Sequence, residues 1–120
     1  MNRLVASSAL LGFLTVALGA FGAHALEGKL TAQGLEWWHT ATLYALPHAA
    51  AAFAVGLSGR GGSLRTAGWL MAIGAVIFAG TLYAMALGAP RWFGAITPIG
   101  GVSMLAGWAL AAIGGLTRKG

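Results

Sequence analysis

Nine charged residues cut this chain of 120 into four uncharged stretches, and that division constrains the fold more than any other feature. The charges stand at Arg3, at Glu27, Lys29 and Glu36, at Arg60 and Arg65, at Arg91, and at Arg118 and Lys119. Between them run residues 4–26, 37–59, 66–90 and 92–117, of 23, 23, 25 and 26 residues. A helix rising 1.5 Å per residue needs about 20 mostly apolar residues to cross roughly 30 Å of hydrocarbon. Each stretch is long enough. The runs are rich in Ala and Leu and lack alternation with period two, which excludes barrel strands. The expectation is an all-α polytopic membrane protein, a four-transmembrane-helix antiparallel bundle. One integral membrane domain covers 1–120, with spans at about 4–26, 37–58, 66–89 and 97–117.

Composition closes the other routes. Apolar residues make up 58% of the chain and charged residues 8%, whereas a soluble domain is about a quarter charged. A soluble enzyme is excluded, and so is a disordered chain, which needs low hydrophobicity and high charge. Zero cysteines leave no disulfide framework, zinc finger or thiol nucleophile. Too little chain lies outside the spans for a soluble catalytic domain, so the protein is read as no enzyme. With the N-terminus cytoplasmic, Arg3, Arg60, Arg65, Arg118 and Lys119 lie inside and Lys29 and Arg91 outside, the bias that sets both termini in the cytoplasm. Topology thus accounts for the net charge of +5. No basic run is dense enough for nucleic acid, and Arg118-Lys119 reads as an inner-leaflet anchor.

Met1-Asn2-Arg3 before an apolar run ending Ala23-His24-Ala25 also has the shape of a signal peptide. The run is long for one and equals the other spans, so a retained first helix is expected. Thr31 is placed to N-cap a helix leading through Trp37 and Trp38, which suit the interfacial aromatic belt. Arg60-Gly61-Gly62-Ser63 reads as a tight turn that makes spans two and three antiparallel neighbours. Thr97-Pro98 looks like an N-cap followed by proline at the first helical position, so the fourth regular helix begins there. Small-residue spacings at Gly19-Ala23, Gly68-Ala72 and Gly107-Ala111-Gly115 suit close helix packing.

Chemistry, if the chain has any, falls to three histidines, two tyrosines and two glutamates. Ionisable groups in a bilayer are expensive and normally face a partner inside the bundle. His24 and His39 lie near outer ends of spans, whereas His48 is about 15 Å deep. His39 and His48 are half a turn out of phase and cannot share a ligand. Tyr44 and His48 are i,i+4 and share a face. Pro47 removes a backbone donor beside His48 and suits a kink or small cavity there. The bland alternative is a neutral histidine satisfied by a neighbouring span. His24-x-x-Glu27 and Glu36-x-x-His39 could supply two N and two O ligands to a divalent metal, but solvated interfacial residues explain them as well, and no metal is expected. The one candidate site is a polar cluster. Tyr44, His48 and Tyr83 are expected on one inward surface, with His24 facing inward nearer the outer mouth.

Several motifs in order carry a family resemblance. They are Gly19-Ala20-Phe21-Gly22-Ala23-His24, Thr40-x-x-x-Tyr44-x-x-x-His48, Phe78-Ala79-Gly80-Thr81-Leu82-Tyr83, Thr97-Pro98-Ile99-Gly100-Gly101 and Gly107-Trp108. Together they resemble the domain-of-unknown-function 423 family, the transmembrane-protein-256-like small membrane proteins. The resemblance implies a small multi-span protein of the bacterial inner membrane. It transfers His24, Tyr44, His48 and Tyr83 as motif positions without an assigned role, and it does not include His39, Glu27 or Glu36. Ala79 and Thr81 depart from serines frequent in the family, and Pro47 is not typical of it.

Two functions fit these readings. One is a structural or accessory component of the membrane or of a larger membrane complex, with lipid, a homo-oligomer or other subunits as partners. The alternative is a small redox or permeation component, with a haem-, quinone-, proton- or solute-accessible cavity near His48. The sequence itself names no cofactor.

Overall fold

In a bilayer every backbone polar group must be satisfied within its own segment, so uncharged runs of this length become helices. The structure, a computed structural model, describes residues 1–117; the tail Arg118-Lys119, read above as a lipid anchor, lies outside them. Helix α1 (Arg3–Val16) continues through a wider π turn (Ala17–Gly22) into the one-turn α2 (Ala23–Ala25). Then come α3 (Ala32–Leu57), α4 (Gly62–Ala86), a 3₁₀ segment (Arg91–Ala95) and α5 (Thr97–Thr117). Four helical runs are long and apolar enough to cross a membrane: Arg3–Gly22, Ala32–Leu57, Gly62–Ala86 and Arg91–Thr117. No strand occurs among the described residues. The protein is an all-α polytopic membrane protein of four spans.

Local chemistry sets the ends. Thr31 caps α3 by accepting the Gly34 N–H at 2.9 Å, so that helix starts five residues before the uncharged run does. Gly59 and Gly62 hold φ of +69° and +64°, a left-handed conformation costly for other residues, and reverse the chain between α3 and α4. Asn2 caps α1 through Val5 and donates its amide to Gly56 O at 2.9 Å, tying the start of the chain to the end of α3.

The fourth regular helix does begin at Thr97, yet Thr97 is not its cap. Its hydroxyl meets the Thr81 hydroxyl at 2.6 Å and donates to Phe93 O at 3.3 Å, so it links α4 to α5 instead. The preceding 3₁₀ segment supplies the helical entry that a cap would otherwise provide. Pro98 falls within the first turn, where its missing N–H had no intrahelical partner to lose.

Helix α4 is the centre of the molecule. It buries 10 of its 25 residues, against 7 of 26 in α3 and 5 of 21 in α5. Helices α3 and α5 flank it and α1 packs on α3, with only a short contact on α4. Between α4 and α5 the backbones touch. A Cβ at Gly74 would fall 2.7 Å from Gly100 O, and one at Gly107 would fall 2.9 Å from Ala67 O. The seam on α5 runs Thr97, Gly100, Met104, Gly107 and Gly114, in helical steps of three, four and seven. That period explains why the expected stripe is corrected at one end: Gly107 lies in the seam, but Gly115 faces open space and Gly114 takes its place. Gly68 turns the other way, towards Leu4 and Val55.

Candidate functional site

Two polar sites join α3 to its neighbours. The first lies where the π turn meets α3 and α4. Trp38 and Thr42 are one turn apart on α3, facing Gly19 and Gly22. A Cβ at Gly19 would stand 2.6 Å from Thr42 Cγ2, and one at Gly22 2.6 Å from Trp38 Cζ2. These glycines make room for side chains, where the sequence pointed to a neighbouring backbone. Widening from i→i+4 to i→i+5 leaves a carbonyl without its helical donor. Trp38 bonds a carbonyl within that turn, its Nε1–H donating to Leu18 O at 2.9 Å. Thr42 donates to Trp38 O at 3.2 Å, which leaves its oxygen to accept from Tyr83, 2.5 Å away. The Trp38 and Tyr83 rings meet edge to face at 4.5 Å. Trp38 is 2% and Tyr83 9% exposed. The junction is closed and every donor has an acceptor.

The second site lies between α3 and α5. His48 Nδ1 is 2.6 Å from Tyr44 O, an atom that only accepts, so Nδ1 carries the proton. Nε2 is then an acceptor, and Trp108 Nε1–H donates to it at 2.9 Å. His48 is thereby a neutral histidine with both nitrogens satisfied, its ring 5.9 Å from the indole. The Tyr44 ring rests on Phe78 at 5.0 Å. These side chains, with Gly101, Met104 and Leu105, line an open groove of about 320 Å³.

The structure therefore brings Tyr44 and His48 together but places Tyr83 in the other site. The single surface expected for the three is corrected. Tyr83 lies at a depth close to that of Tyr44, yet its partner is Thr42, two residues earlier on α3. Two residues along a helix turn the side chain through roughly 200°, to nearly the opposite face. His24 is also corrected. It is exposed at the end of the first span, without a side-chain hydrogen bond among the described residues. The extra residue per turn of the π segment rotates the helix beyond it, and it is Gly19 and Gly22 that point inward. The interfacial quartet does not converge, since no three His, Cys, Asp or Glu side chains among the described residues are placed to hold a metal ion.

Two participants escaped the sequence reading. Trp38, expected in the lipid-interface belt, is buried because its indole N–H has a carbonyl to satisfy. Its i,i+4 relation to Thr42 was the available signal. Trp108 stood in a recognised dipeptide, but nothing in the spacing paired it with His48, 60 residues away.

A family model described as "Protein of unknown function (DUF423)" matches residues 18–101. The chain is similar to the UPF0382 membrane protein YwdK of Bacillus subtilis, 42% identical over 118 residues, covering 94% of this chain and 95% of that one. It is also similar to the UPF0382 membrane protein SSP2132 of Staphylococcus saprophyticus, 42% identical over 116 residues, covering 95% and 97%. With the UPF0382 inner membrane protein YgdD of Escherichia coli the identity is 40% over 118 residues, covering 93% and 88%. No solved structure matches.

Proposed function

This chain belongs to the DUF423 family of membrane proteins, and on that premise we propose that it is a non-catalytic structural or accessory component of the bacterial inner membrane. One observation carries this reading. No buried side-chain nitrogen or oxygen among the described residues lacks a hydrogen-bond partner. The polar groups of the spans are used to join helices: Tyr83 to Thr42, Thr81 to Thr97, Ser103 to Leu70 O, and Trp108 to His48. These buried groups are occupied by one another, as expected of groups that hold helices together.

The test compares two variants of the full chain in mild detergent by size-exclusion profile and thermal unfolding. His48→Phe loses one interhelical bond, about 0.6 kcal/mol in a membrane protein, and is expected to stay assembled. Gly107→Leu drives a side chain into the α4 backbone and is expected to cost about 1–3 kcal/mol or more and to disrupt assembly. A purified protein with a visible absorbance band that His48→Phe abolishes would overturn the reading in favour of a redox component. In the same proposal both termini face the cytoplasm, supported by the basic residues at that end. Cysteine placed at Gln33 is expected to label from outside the cell, and cysteine at Ser63 is not; the reverse result refutes the orientation.

A further inference from the structure

Helices α3 and α5 flank α4 and meet one another through the His48–Trp108 link rather than along a packed seam, which leaves a gap between them. Near the 3₁₀ segment it is a cavity of about 350 Å³ lined by Trp37, Phe78, Met85, Arg91 and Thr97. One step further along α5 it becomes the groove of about 320 Å³ at Tyr44, His48 and Trp108. Phe78 lines both, so the two lie end to end over α4. From these we infer that the α3–α5 groove seats one phospholipid with an anionic headgroup, its phosphate at Arg91 and an acyl chain running past Phe78 to Trp108. The inference stands independently of the structural role proposed above.

Three observations specify the occupant. Arg91 stands at the mouth, and only one of its N–H donors is engaged, by Gln33 Oε1 at 3.0 Å. No carboxylate pairs with it among the described residues, so four donors and a full charge remain for a phosphate. Below the mouth, Tyr44 lines the groove and its hydroxyl has no hydrogen-bond partner among the described residues, although the residue is 45% exposed on a surface that lipid covers. An unpartnered hydroxyl in hydrocarbon is costly, and an acyl ester carbonyl supplies the acceptor it lacks. Tyr44 is seven residues below Trp37, roughly 10 Å along the axis, and helical side chains lean back towards the N-terminus. The hydroxyl is thus carried towards the ester level. Beyond it the lining is Phe78, Gly101, Met104 and Leu105, which offer an acyl chain no polar atom that needs one.

Full-length protein is reconstituted in vesicles of equal phosphatidylglycerol and phosphatidylcholine and released for native mass spectrometry. A monomer retaining one phosphatidylglycerol is expected, favoured about fivefold over phosphatidylcholine by the single Arg91 charge. Arg91→Gln should bring the two lipids to parity without loss of fold, since that side chain is exposed and bonded only to Gln33. Gly101→Leu should remove the adduct. A Cβ there meets only Phe78 Cδ2, at 4.0 Å, so the new side chain fills the groove rather than the helix seam, and an unchanged melting temperature verifies this. Ile73→Phe, on an exposed face away from the groove, should retain lipid as the parent does. Equal retention of both lipids by the parent, an unchanged preference in Arg91→Gln, or a lipid-free dimer would each overturn the inference.

Discussion

The Trp38–Thr42–Tyr83 junction and the His48–Trp108 link use the same materials to opposite ends. Each joins α3 to a neighbouring helix through an indole N–H, and each sits beside an irregularity, a π turn in one case and a proline in the other. At the junction, glycines remove the space between elements, and the rings close over the hydrogen bonds. At the link, the rings do not close over the hydrogen bond; Tyr44 and Trp108 stay nearly half exposed, and a groove remains. The difference lies in what faces the indole. Gly19 and Gly22 let the first span approach until nothing else fits, whereas α5 is held against α4 by Gly100 and Gly107 and meets α3 only across the long side chains of Trp108 and His48. Close packing on one side of α4 leaves an opening on the other.

Substitutions can break this contrast in order of size. Gly22→Leu places side-chain atoms where Trp38 already stands and is expected to destabilise by about 1–3 kcal/mol or more, read as a fall in melting temperature and loss of the monodisperse peak. An equally large loss from Gly101→Leu would erase the distinction between a closed site and an open one. Next, Tyr83→Phe removes a buried donor and leaves Thr42 with one bond fewer, an expected cost of about 1 kcal/mol. Trp108→Phe frees His48 Nε2 in a half-buried setting, with an expected cost nearer 0.6 kcal/mol. A double-mutant cycle with His48→Phe should recover most of that value as coupling, and a cycle with Tyr83→Phe should show none. The smallest effect is expected from Tyr44→Phe in detergent without added lipid, within about 0.5 kcal/mol of the parent because no group among the described residues bonds that hydroxyl.

The number of the spans was readable because charge is so costly in hydrocarbon that nine residues suffice to divide the chain. Thr31 was readable for a similar reason, a local donor meeting a local acceptor three residues away. The candidate site was readable only in part. Spacing along α3 put Tyr44 and His48 on one face, and the structure does the same. It could not show which way Tyr83 turns, because depth along an axis says nothing of angle about it. Nor did it show the π turn at Ala17–Gly22, since a run made of Gly, Ala, Leu and Phe carries no polar marker of phase. That unseen turn shifts the phase of His24 and holds the Leu18 carbonyl to which Trp38 donates. Where phase is set by a backbone irregularity, residue pattern alone does not reach it.

The serial packing has a consequence for assembly. Helix α1 packs on α3, α3 on α4 and α4 on α5, so each span's main partner is the next to leave the ribosome. No extensive interface joins the first span to the last. Each span can therefore dock as soon as it is inserted, with no wait for a distant segment to close a ring, and the topology is of the local kind that folds fast. The last span meets a pair already formed, and its glycine seam requires that α4 be in place before α5 arrives. Ribosome-stalled chains that end before residue 91 and carry a flexible C-terminal linker long enough to clear the exit tunnel should then already show the Trp38–Tyr83 contact, by crosslinking between those positions. Its absence until α5 is complete would show that the chain assembles as one piece.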